Sequence, residues 1–93
     1  MLSVKELYIS QTNALALIKA ELLFDEAMIV FMIDISSNKT QFVKKTTTQE
    51  SIECIYWLNK ESFAMQNKDN NAVKIQNYDI NNILIEEKKL ITN

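Results

Sequence analysis

The chain contains no glycine, no proline, no histidine and no arginine among its 93 residues. Each absence removes a class of chemistry. Without glycine there can be no Walker loop, dinucleotide-binding fingerprint or nucleophile elbow, because each needs backbone positions that a larger side chain obstructs. Without histidine the chain lacks the usual general base near neutral pH, the usual partner of a catalytic Ser or Cys, and the commonest zinc ligand. The single cysteine, Cys54, leaves no route to an internal disulfide or a structural zinc site. Without arginine there is no bidentate ligand for phosphate or guanine. These gaps argue against an enzyme, a cofactor and a metal centre. The missing types have largely GC-rich codons, and the abundance of Ile, Asn and Lys fits AT-rich coding as found in low-GC bacteria, their phages and plasmids.

What is present is the composition of a globular protein: 47% apolar, 24% charged, net charge −2. A chain of this length forms one domain spanning residues 1–93 and buries only about 60–65% of its unfolded surface. A lone cysteine fits a reducing compartment, and Lys19 and Glu21 interrupt the only N-terminal apolar stretch that could resemble a signal peptide. The most apolar segment, Ala27 to Ile33, is far shorter than the roughly 20 residues of a membrane-spanning helix. The expectation is a cytoplasmic protein without a membrane segment.

The pattern along the chain predicts an α+β fold. Ser3-Val4-Lys5-Glu6 matches a capping box, and Leu7, Gln11, Leu15, Ile18 and Leu22 recur at helical steps, predicting a helix to about Phe24. The alternative is a strand over Leu7 to Ser10 with a helix from near Thr12. The unbroken run Ala27 to Ile33 predicts a central strand covered on both faces. Ser36-Ser37-Asn38-Lys39 supplies a turn, with Asn as the cheapest residue at positive φ in a chain without glycine, and Thr40 to Thr48 returns as an edge strand. Thr47-Thr48-Gln49-Glu50 reads as a second capping box, before Ile52, Ile55, Tyr56, Asn59 and Phe63 on one face of a helix to about Gln66. The competing reading is a strand, given the sheet propensity of Ile52, Ile55, Tyr56 and Trp57. Residues 67–71 form a loop and Ala72 to Gln76 a short strand. In the tail, Asp79 caps a helix carrying Ile80, Ile83, Leu84 and Ile91, unless Asn81-Asn82 turns a terminal hairpin. The expected order is helix, β-hairpin, helix, strand, then helix or strand, with helices packed on an antiparallel sheet.

Two groups of residues stand out as candidate sites. On a helix, Glu50, Glu53, Trp57 and Glu61 fall opposite the core stripe, leaving an aromatic anchor ringed by carboxylates and suited to a protein partner with a basic surface. On the hairpin, Lys39, Lys44 and Lys45 flank Phe42 and offer an alternative nucleic-acid contact, against which stand the net negative charge and the role of lysine in protecting sheet edges. The remaining carboxylates, among them Asp25, Glu26, Asp34, Asp69, Asp79, Glu86 and Glu87, have no spacing that marks an active site or an ion site. The sequence-based expectation is a non-enzymatic protein–protein interaction module, and more narrowly a phage or mobile-element inhibitor of the anti-CRISPR kind that occludes a basic nucleic-acid channel. The oligomeric state is left open by the sequence.

Overall fold

The computed structural model describes residues 2–22, 24, 27–46, 50–70 and 72–91. They form eight antiparallel strands and no helix: β1 (Leu2–Ile9), β2 (Leu15–Leu22), β3 (Ala27–Asp34), β4 (Lys39–Lys45), β5 (Glu50–Asn59), β6 (Ser62–Asp69), β7 (Ala72–Asp79) and β8 (Leu84–Ile91). Each half of the chain is a meander. Sheet A has the order β1-β2-β3-β4 and sheet B the order β5-β6-β7-β8. The chain is all-β, which corrects the expected α+β fold.

The helical spacings have a physical explanation in β-bulges, each of which inserts one extra residue and turns a step of two into a step of three. One lies between Val4 and Glu6 in β1, and another between Ile52 and Cys54 in β5. The second puts Ile52 and Ile55 on the same face at a spacing that a helix would also give. The first predicted helix is broken instead by the turn at residues 10–14, where Asn13 sits at φ 60°. The second is broken after Asn59, whose Oδ1 accepts the Glu61 N–H at 2.8 Å and closes the β5–β6 turn. In the tail the hairpin alternative is the observed one, with Asn82 at φ 64°. Asn67, Lys68 and Asp69 are strand rather than loop, since β6 runs to Asp69; Asn70 turns, and Asn71 lies outside the described residues. Of the second capping box, Thr47, Thr48 and Gln49 lie outside the described residues, as do Asp25 and Glu26.

The two sheets stack into a slab with extents of 43 × 31 × 17 Å. Leu17, Val30, Met32 and Val43 from sheet A meet Ile52, Ile55, Phe63 and Met65 from sheet B in one core. Polar ties join the layers at the rim. Lys19 Nζ donates to the Ile52 carbonyl at 2.9 Å and to Glu6 Oε1 at 3.0 Å, while Lys44 Nζ lies 3.2 Å from Glu50 Oε1. β1 packs against β5, and Lys44 of β4 reaches Gln76 of β7. Sheet A therefore covers β5 to β7, and β8 overhangs.

Candidate functional site

The residues predicted to form one anchor on a helix are dispersed by the sheet. Trp57 points between the layers, half-buried, its ring edge-on to Phe63 with centroids 5.6 Å apart and its indole N–H donating to the Tyr8 carbonyl at 2.9 Å. Glu50 also faces inward, held by Lys44. Glu53 is the bulged residue of β5 and accepts a hydrogen bond from Gln66 Nε2 at 2.9 Å, and Glu61 sits in the β5–β6 turn. No carboxylate ring surrounds an exposed indole.

The hairpin lysines divide in the same way. The β3–β4 hairpin is as expected, and Asp34 organises its turn by accepting from the Ser36 and Ser37 N–H groups and the Ser36 hydroxyl. These bonds hold the Asp34 carboxyl below its ordinary range, the Ser36 hydroxyl first among them. Lys39 pairs opposite Asp34 and Lys44 opposite Val30, both on the inward side, whereas Phe42 pairs opposite Phe31 and Lys45 opposite Ile29, on the outward side. The bulge at Val43 shifts the alternation, so that Lys39 and Lys44 share the inward side and Lys45 joins Phe42 outside. Cys54 lies on the outward side of β5, its Sγ 3.8 Å from Gln66 Oε1.

The feature missed from sequence is the outward face of sheet A. Its cross-strand rows follow directly from the register. Leu7, Ile18, Phe31 and Phe42 form one row, and Ile9, Ala16, Ile33 and Thr40 the next. On the other side lie Val4, Ala20, Ile29 and Lys45, and then Leu2, Leu22 and Ala27. Only Thr40 and Lys45 are polar, and both sit on the edge strand β4. Sheet B's outward face is the ordinary case: its rows mix Tyr56, Val73, Ile75 and Leu90 with Ser51, Gln66, Lys68, Asn77, Glu86 and Lys88. β3 does have apolar side chains on both faces, as its unbroken run implied, but only the inward one is covered among the described residues. Phe31, expected in the core, stands on the open side. The signal available in the sequence was the period-two alternation of Leu2, Val4, Leu7 and Ile9, masked by the bulge between the second and third.

The edge-strand side chains of this face are largely exposed, and those of β2 and β3 are half-buried or buried. Val4 retains 63% of its accessible surface and Phe42 57%, while the small Ala16 and Ala20 are hidden beneath their larger neighbours. Four strands about 4.8 Å apart, each rising about 3.3 Å per residue, make a platform of roughly 19 by 26 Å. That footprint, about 500 Å², lies in the upper part of the roughly 300–600 Å² range of the largest apolar patch on an ordinary monomer, a size often tied to function.

Elsewhere the surface offers two clefts beside Ile80, of about 300 Å³ and 460 Å³. The second includes Asp79, whose Oδ1 already accepts the Asn81 and Ile83 N–H groups in the β7–β8 turn. Among the described residues no three His, Cys, Asp or Glu side chains come together to hold a metal ion, and no helix is long and apolar enough to cross a membrane. No family model matches the chain, and none of the curated proteins or solved structures compared with it does so either. The narrower expectation of a phage or mobile-element inhibitor of anti-CRISPR type draws no support from these comparisons.

Proposed function

We propose that this chain is a non-enzymatic protein-binding module whose contact surface is the outward face of sheet A, and that its occupant is an uncharged apolar surface of a partner protein. The observation that carries this reading is the contrast between the two outward faces: sheet B's mixes polar and apolar residues as a solvated sheet does, and sheet A's is apolar in every row but for Thr40 and Lys45 on its edge strand. A footprint of about 500 Å² is somewhat below the roughly 800 Å² that each partner contributes to a standard interface and suits a modest contact. A charged partner gains little here. Nothing in the central rows pairs with charge, and desolvating an unpaired charge against this face is costly. The earlier expectation of a basic partner depended on carboxylates ringing Trp57, and that arrangement is not formed.

The test is a photo-crosslinking amino acid placed at position 42, and in a control at position 75 on the outward face of sheet B, in cells expressing the protein. A partner protein crosslinked from 42 and not from 75, and lost when Leu7→Lys is added to a folded variant, is the expected result. Equal crosslinking from both positions, or none from 42, overturns the reading. So does retention of the purified protein on phosphatidylcholine vesicles that Leu7→Lys abolishes, which would assign the face to lipid.

A further inference from the structure

All four edge strands carry a bulge, and only in the fourth does it leave a regular run of six residues that bears both signs of charge. β1 is bulged between Val4 and Glu6, β5 carries two bulges, and β4 is bulged at Val43 and bears Lys39, Lys44 and Lys45, all of one sign. β8 differs. Its bulge falls at Ile85, leaving Glu86–Ile91 regular along β7, and among the described residues no strand pairs with its far side. It is exposed along its whole length, with Leu90 at 63% and Ile91 at 70%.

Its sequence is charge-balanced in a particular order: Leu84-Ile85, then Glu86-Glu87, then Lys88-Lys89, then Leu90-Ile91. Turned end for end, one Glu of each copy lies against one Lys of the other, and an apolar pair from the two strand ends meets beyond them. A parallel copy would stack like on like. An edge of one sign would repel its own copy, whereas this one can pair opposite charges with itself.

We propose that β8 pairs antiparallel with β8 of a second copy, about a twofold axis normal to sheet B, joining the two sheets into one of eight strands. Directly opposed residues share a face, so the axis passes through Lys88, opposing Glu87 to Lys89, or through Glu87, opposing Glu86 to Lys88. Either register makes two opposite-charge pairs per dimer and flanks the single like-charged pair on the axis with opposite charge. The contact is smaller than a standard interface, so the dimer forms and dissociates with concentration. A twofold axis normal to the sheet leaves both sheets A on the same side. Their apolar faces then look the same way, and a partner with two matching sites gains avidity.

Sedimentation equilibrium over a wide concentration range tests the pairing. The wild-type mass is expected to rise from 10.8 kDa toward twice that value. Glu86→Lys with Glu87→Lys makes the edge all-basic and raises the dimer Kd by roughly tenfold or more, since favourable cross-strand pairs become repulsive. Adding Lys88→Glu and Lys89→Glu reverses the whole order, restores self-complementarity and recovers dimerisation. In a Cys54→Ser background, Lys88→Cys or Glu87→Cys on the axis oxidises to a covalent dimer, while Cys at position 68, on the outward face of β6, does not. A protein monomeric at every concentration overturns the proposal. So does a dimer indifferent to the β8 charges and lost with Leu7→Lys, which would place the second copy on sheet A.

Discussion

The indole N–H of Trp57 donates to the main-chain carbonyl of Tyr8 at 2.9 Å, tying β5 of sheet B to β1 of sheet A. The same ring lies edge-on to Phe63, which stacks on Tyr78 at 5.5 Å, so one aromatic row runs across sheet B beneath the tie. Trp57 is thus a structural residue. Trp57→Phe keeps the ring contact and loses the hydrogen bond, at an expected cost of about 1 kcal/mol. Trp57→Ala loses both, and urea unfolding should show about 2–4 kcal/mol, below the full cost of a buried aromatic because this ring is partly exposed. Trp57→Ala with wild-type stability would detach this row from the core.

A second polar group is set deeper. Asn67 is 1% exposed in the middle of β6; its Nδ2 donates to Gln76 Oε1 at 3.0 Å, and its Oδ1 has no partner among the described residues. Gln76 Oε1 also accepts from the Tyr78 hydroxyl at 3.1 Å and from Lys44 Nζ at 3.4 Å. Asn67→Leu therefore removes one unsatisfied acceptor and leaves Gln76 with other donors, and the stability should stay within about 1 kcal/mol of wild type or exceed it. Gln76→Ala strips several donors at once and should cost about 2–3 kcal/mol. The order of these two variants in chemical unfolding is the check.

Only the middle of the chain and one later strand were legible, and the misreadings share a cause. β3, the β3–β4 hairpin and its Asn38 turn follow from an apolar run and from turn chemistry in a glycine-free chain. β1, β2 and β5 do not, because a bulge or a turn placed apolar residues three or four apart and the strands imitated a helix. In β2 the run Leu15 to Ile18 is apolar without a break, and periodicity alone cannot separate a strand with two apolar faces from a buried helix. The candidate site failed with the helix. Once they sit on a bulged strand, Glu50 and Trp57 turn inward at opposite ends of β5 and Glu53 stays outside, while the apolar face of sheet A exists only through pairing that no local pattern announces.

Stability should fall in alkali through two phenols. Burial pushes the Tyr8 hydroxyl above its ordinary value, reinforced by its hydrogen bond to Glu6, and burial does the same to Tyr78, with Glu87 and Glu50 adding to it. A phenol is neutral when protonated, so the folded chain holds these protons more tightly than the unfolded one. That contribution is complete below about pH 10, the ordinary tyrosine pKa, and is lost as pH rises above it toward the folded values. The melting temperature should drop above that point, and Tyr8→Phe should flatten the drop. Glu6 works in the opposite sense. Its hydrogen bonds from Tyr8 and then Lys19 lower its pKa, so its small contribution is present above the ordinary carboxylate range and lost as pH falls through the folded value.

Among the described residues four turns place an asparagine at positive φ: Asn13 at 60°, Asn38 at 60°, Asn70 at 43° and Asn82 at 64°. In an L-residue with a Cβ the left-handed region costs about 1–2 kcal/mol, a penalty that asparagine reduces and glycine escapes. Asn38 tests the backbone alone, because its N–H donates to the Asp34 carbonyl at 2.7 Å and that bond survives any side-chain change. Asn38→Ala should lower stability by about 1 kcal/mol, while Asn38→Gly should match wild type or exceed it by a few tenths, the strain relief being offset by the added freedom of the unfolded chain. Asn82 carries a second duty. Its Nδ2 donates to the Phe42 carbonyl at 3.2 Å, linking the β7–β8 turn to β4 of the other sheet. Asn82→Gly should relieve the same strain and lose that link, for a net loss of about 0.5–1.5 kcal/mol. Thermal unfolding of the three variants reads the difference: if Asn82→Gly tracks Asn38→Gly, the turn does not tie the sheets together, and if Asn38→Ala is silent, the left-handed turn is not where this glycine-free chain stores strain.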